Sequence, residues 1–142
     1  MKIQVHNKIS MSNLTKNKVS DITRWFCNEI KLPIATLDII FTDDENLRNL
    51  HEKYLDDEDY TDVMTFNLGT ESEIEGEIYI SSQRAQENSL IFDVTLEKEI
   101  CRLIIHACLH LAGYNDKNVV DRSFMKEKEE YFLSLVSNNF LN

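Results

Sequence analysis

Apolar residues along the chain fall into periodic blocks separated by polar ones, and the periods change from block to block. Over 17–32 (NKVSDITRWFCNEIKL), Val19, Ile22, Trp25, Phe26 and Ile30 recur at helical spacing, with Glu29 the polar member of the stripe. Leu32-Pro33 should end that helix, because a residue before proline disfavours helical backbone. The β-branched run IATLDIIF (34–41) predicts a strand. Thr42 to Glu45 (TDDE) has the form of a capping box, and Leu47, Leu50 and Tyr54 then mark a helix. Two further strands are expected at 61–68 and 74–81, the second with Ile74, Ile78 and Ile80 on one face and the acidic turn GTESE before it. A short helix is expected at 81–89 and a weak first strand at 2–5.

The last third is helical. Residues 95–112 (TLEKEICRLIIHACLHLA) have glutamates in the first turn, where they suit the helix dipole, and Gly113 as the stop. A final helix over about 118–136 carries Phe124, Tyr131, Phe132 and Leu135 as its apolar stripe. Helices therefore flank about four strands. The class expected is α+β or α/β, as one domain over 1–142. The arrangement favoured is α+β, a mixed sheet with a histidine-bearing helix near the C-terminus.

Composition adds few constraints. The 142 residues, 42% hydrophobic and 28% charged, suit one soluble domain, and one proline with three glycines leaves no linker. MKIQVHNKIS has no apolar signal-peptide core, and LIIHACLHLAG from Leu103 is too short to span a bilayer, so a cytoplasmic location is expected. Three cysteines without paired spacing fit a reducing compartment. Cys108 lies about 200° around a helix from His106. All three thiols read as small apolar core groups.

Charge changes the picture more. The net charge is −10, and residues 41–100 hold 17 acidic against 4 basic side chains. The acidic run Asp56 to Asp59 reads as solvated surface. A tight nucleic-acid binder needs a basic footprint, which this chain lacks overall. An enzyme that touches only a short strand does not need one.

The chemistry concentrates in HACLHLAGYND, from His106 to Asp116. His106 and His110 stand one turn apart on one helix face and can share a divalent ion. Gly113 lets the chain turn back, and Asp116 is the group so delivered. Two imidazoles and a carboxylate leave a fourth position open for water, as in a catalytic zinc site, although other divalent ions suit the same donors. A peptidase of this spacing needs a glutamate after the first histidine, and here that residue is Ala107. A Lewis-acidic ion whose bound water has a pKa lowered towards ~7 would still hydrolyse phosphodiesters or esters.

These residues, with YTDVMTFNL and GEIYIS upstream, resemble the YbeY family of metal-dependent endoribonucleases of ribosomal RNA maturation, over nearly the whole chain. The resemblance implies one zinc ion per chain, held by His106, His110 and Asp116, with aspartate where the family has its third histidine. A carboxylate there makes the site less positive and the bound water a somewhat weaker acid. Ala107 replaces a family glycine, Tyr114 matches, and Asn115 stands for an aspartate. Leu55 occupies the position at which many members carry an arginine implicated in activity. Arg102, Lys53 and Arg84 are candidate substitutes.

Asp62 matches a family aspartate, accompanied by Thr61, and has two readings: an acceptor that orients a metal histidine, or a strand-entry cap. His51 and His6 read as ordinary surface or packing residues. The resemblance implies a single-strand-specific endoribonuclease of rRNA maturation and ribosome quality control, in which metal-bound water or hydroxide attacks a phosphodiester. Its partners would be ribosomal RNA, the ribosomal subunit or assembly proteins, with no membrane. Two other readings stay open: a small zinc metallohydrolase or peptidase, and a non-catalytic ribosome-assembly factor with a structural metal.

Overall fold

The computed structural model describes residues 1–9, 12–55 and 61–141, with backbone only at residue 55. At its centre is a four-stranded sheet, ordered β1-β2-β4-β3. β1 (Lys2–His6), β2 (Ile34–Thr42) and β4 (Ile74–Ser81) run parallel, and β3 (Val63–Asn67) closes one edge antiparallel to β4. The sheet is mixed, as expected, and the fold is a single α+β domain. Alternation places Leu37, Ile39 and Phe41 of β2 beside Ile78 and Ile80 of β4 in the core. The acidic run Asp56 to Asp59 lies outside the described residues.

Five helices accompany the sheet: α1 (Lys16–Glu29), α2 (Asp44–Leu55), α3 (Ser82–Ile91), α4 (Leu96–Leu111) and α5 (Val119–Phe140). Thr15, Ser81, Thr95 and Asn118 cap four of them, each side-chain oxygen accepting a backbone N–H of the first turn. β3 is shorter than the expected 61–68 and α5 runs past the expected 136 to Phe140, and the boundaries of α1 and α2 differ for local reasons. α1 ends at Glu29, before Leu32-Pro33, because Lys31 takes a positive φ of 54° and turns the chain first. At α2 the N–H of Asn46 is accepted by Asp43 Oδ1 at 2.7 Å, while Thr42 is still the last residue of β2. The capping role thus falls one residue later than the TDDE pattern suggests.

α4 is the central helix. Ile100, Leu103, Ile104, Ile105, Ala107, Cys108 and Leu109 are all buried, so it is apolar nearly all round, as an interior helix must be. The sheet lies on one side, and α1, α3 and α5 pack on the others. Its C-terminal turn approaches β4 closely at Gly76, where a Cβ would meet Leu37 Cδ1 at 2.8 Å and Leu111 Cδ1 at 3.2 Å. That glycine seats the histidine-bearing end of α4 on the sheet.

The stripe expected on α5 is only half right. Phe132 packs edge-on against Phe26, at 4.9 Å between centroids, but Phe124 and Tyr131 are exposed. The buried positions are Met125, Glu129 and Val136, and a glutamate inside the stripe disguised its phase. Among the described residues no helix is long and apolar enough to cross a membrane.

Candidate metal centre

His106 and His110 project from the same face of α4, and their Nε2 atoms stand 3.0 Å apart. Gly113, at φ 100°, terminates the helix as its position predicts, and the returning chain brings Asp116 Oδ2 to 3.9 Å from His110 Nε2. One ligand atom from each of the three residues lies within 4.8 Å of the others, so the group could hold a metal ion. The donor chemistry fits a divalent ion. A tetrahedral shell with Zn–N near 2.0–2.1 Å separates its ligand atoms by roughly 3.3 Å, between the two separations found here.

Burial keeps the centre responsive to charge. The His110 imidazole has its pKa lowered, first by burial and then by the neighbouring His106, with Asp116 opposing the shift. A depressed pKa leaves this imidazole neutral, the form that ligates a metal.

Behind His106 lies a residue that the sequence reading did not single out. Glu129, buried on α5, meets His106 Nδ1 with Oε1 at 2.5 Å. Asp62, expected as a possible orienting acceptor, instead receives a hydrogen bond from Asn88 Nδ2 at 3.2 Å and lies 3.8 Å from Arg102 Nη2. Its backbone carbonyl accepts the N–H of Ser81 at 3.0 Å. The sequence signal for Glu129 was available in principle: a carboxylate one turn after Met125, inside an apolar stripe, needs a buried partner.

The candidate substitutes for the family arginine are occupied elsewhere. Arg102 closes on Glu99 through Nε and Nη2, each at 2.7 Å, and this pairing raises its pKa. Arg84 is bonded to Asp44, and the Lys53 ammonium sits over the Tyr54 ring. None of the three lines the cleft described next. The side chain of Leu55 lies outside the described residues.

A cleft of about 840 Å³ opens on one side of the histidines. Lys31 and Pro33 from the α1–β2 turn, Met64 and Phe66 from β3, and His51 from α2 form its walls. His51, expected to be ordinary, thus faces the same space as His106 and His110. A second cavity of about 370 Å³ lies against His106 from the α5 side, where Phe92, Arg102, Arg122 and Glu129 line it. Cys27 and Cys108 meet in the core at 4.0 Å between sulfurs, and all three cysteines are free and buried, in line with the apolar reading.

Comparison with known proteins agrees with this architecture. Residues 2–137 match the family described as Endoribonuclease YbeY. The Endoribonuclease YbeY of Karelsulcia muelleri is 40% identical over 108 residues, covering 76% of this chain and 77% of its own. That of Christiangramia forsetii is 33% identical over 132 residues, covering 91% and 92%. The solution structure of TM1509 from Thermotoga maritima superposes with a TM-score of 0.64 at 27% identity, over 96% of this chain and 89% of that one.

Proposed function

The chain belongs to the Endoribonuclease YbeY family, and from that premise we propose that it is a metal-dependent, single-strand-specific endoribonuclease of ribosomal RNA maturation. The observation that carries the reading is the convergence of His106, His110 and Asp116, with both histidines lining a large cleft. These three residues would hold one divalent ion, with zinc favoured by two imidazoles and a carboxylate. Bound there, the ion supplies Lewis acidity and lowers the pKa of its water towards ~7, the chemistry that phosphodiester hydrolysis needs.

The protein's own groups divide the remaining work. His106 and His110 present Nε2 atoms to one point, and Asp116 brings a carboxylate whose charge offsets part of the ion's. The cleft, about 840 Å³ in volume and lined by both histidines, would receive the strand. Lys31 offers a cation at the rim, and Phe66 offers a ring against which a base can stack. With a net charge of −10, the chain leaves bulk phosphate attraction to a partner, a ribosomal subunit or an assembly protein. Three free buried thiols and a ribosomal substrate suit the cytoplasm.

The peptidase reading is disfavoured by Ala107, which is wholly buried in the core and offers no place for a solvated base. The test is cleavage of end-labelled single-stranded RNA by purified protein and by His110→Ala, each with zinc and with a chelator. Cleavage by the wild type alone, abolished on chelation, is the expected result. Zinc bound by the wild type without cleavage of RNA, alone or with ribosomal subunits, would favour a structural metal instead.

A further inference from the structure

The group that faces the second histidine-side cavity is also the group that touches His106 from behind. Glu129 is buried, on a helix whose other inward residues are apolar, and a carboxylate so placed is costly unless its charge is used. Its Oε1 meets His106 Nδ1, and Arg102 Nη1 stands 3.9 Å from the same oxygen. Arg102 is in turn held by Glu99, a carboxylate with 1% of its surface exposed, and Asn88 Nδ2 donates to both Glu99 and Asp62. The chain of contacts therefore runs from the α3–α4 side, through Arg102, to the far edge of the His106 ring.

An imidazole whose Nδ1 faces a carboxylate carries its proton there, which leaves the Nε2 lone pair free and aims it away from the carboxylate. In this molecule Nε2 of His106 points to Nε2 of His110. His110 instead has a backbone hydrogen bond at Tyr114 and, on the Nε2 side, the Asp116 carboxylate. The two histidines are thus held differently, His106 by a buried acid and His110 by a backbone group.

We propose that Glu129 is a positioning residue that fixes the tautomer and ring orientation of His106, with Arg102 holding Glu129 in place. The inference rests on the reading of His106 as a metal ligand for its purpose, but not for its geometry. A purely structural ion pair tying α5 to α4 would affect folding alone. A positioning residue affects the ring itself.

The experiment measures both. Nitrogen-15 NMR of the metal-free protein, at a pH where His106 is neutral, reports which ring nitrogen carries the proton. Zinc affinity is then read by competition with a chelator of known strength. The expected result is a protonated Nδ1 in the wild type and in Glu129→Gln, whose amide oxygen still accepts the hydrogen bond. In Glu129→Ala the tautomers mix, and zinc affinity falls 10–100-fold, the usual loss when a partner behind a metal ligand is removed. Glu129→Gln should recover most of that affinity.

A wild-type His106 protonated on Nε2 would overturn the proposal, as would an unchanged tautomer and zinc affinity in a folded Glu129→Ala. A wild type that shows the expected tautomer but binds no zinc would instead remove the metal reading and leave the positioning of His106 standing. Thermal unfolding of the metal-free variants separates both outcomes from simple loss of fold, and Glu129→Gln carries the test should Glu129→Ala not fold.

Discussion

Arg102 and Glu99 form a two-pronged ion pair across a single turn of α4, each prong 2.7 Å long, with the carboxylate sealed from solvent. A guanidinium so engaged cannot reach out to a phosphate without abandoning a buried charge. The pairing makes Arg102 a part of the frame behind His106.

This predicts the cost of losing it. Arg102→Ala leaves Glu99 uncompensated and should destabilise the fold by about 3 kcal/mol, the lower end for breaking a buried pair, since the guanidinium keeps partial access to water. Urea unfolding of the metal-free protein measures it. The double change Arg102→Met with Glu99→Leu should recover most of the loss. A stable Arg102→Ala that had lost only RNA cleavage would return Arg102 to the role of phosphate binder.

The depressed pKa of His110 ties stability to pH. Its value in the folded protein lies below the ordinary 6.5 because burial and His106 disfavour its charged form. As pH falls below 6.5 the unfolded chain takes up this proton first, so folding loses stability until the folded imidazole is protonated too. Above 6.5 both forms are neutral and the contribution is flat. Urea midpoints of the metal-free wild type and His110→Gln, compared from about pH 5 to pH 8, should diverge in slope only on the acid side. Parallel curves would show that the site does not hold His110 neutral.

Gly113 carries a φ of 100°, and a Cβ there would touch nothing within 4 Å. The penalty for Gly113→Ala is therefore conformational, about 1–2 kcal/mol. Because this turn delivers Asp116, zinc affinity should fall together with stability. Stability lost with unchanged affinity would mean that Asp116 does not depend on the turn, and the carboxylate would then be a poor candidate ligand.

The thiols should be inert. Burial pushes Cys101 up to about 12, and the contact with Cys27 joins burial in raising Cys108 well above its usual range. The thiolate is the reactive form, so an aromatic disulfide reagent near pH 8 should modify none of the three in the native protein and all three after unfolding. Fast native labelling of any one would contradict the packing of α1 against α4.

Much of this was legible because the signals were local. Helix periodicity, the i,i+4 histidines and the Gly113 stop all act within a few residues, and α4 formed where they indicate. The strands at 34–41 and 74–81 were equally plain, the first as a β-branched run and the second from Ile74, Ile78 and Ile80 on one face. Hidden were the facts that depend on packing. Glu129 looks like one acid among several in KEKEEY, and only the docking of α5 on α4 distinguishes it from Glu127 and Glu130. Asp62, read as an orienting acceptor or a strand-entry cap, and Arg102, read as a substitute for the family arginine, have partners from α3 and from one turn back along α4, which no spacing rule encodes. His51 faces the cleft because α2 leans over β3, a tertiary matter again.

The order of the elements along the chain has one more consequence. His106, His110, the Gly113 turn, Asp116 and Glu129 all come from α4, α5 and the short connection between them, while most of the remaining cleft lining comes from the α1–β2 turn, α2 and β3. Donors and most of the walls thus come from different stretches of one domain. Insertions in the turns that frame the cleft can reshape what it admits without disturbing the hairpin of helices that would grip the ion, and so substrate preference can drift while the chemistry stays fixed.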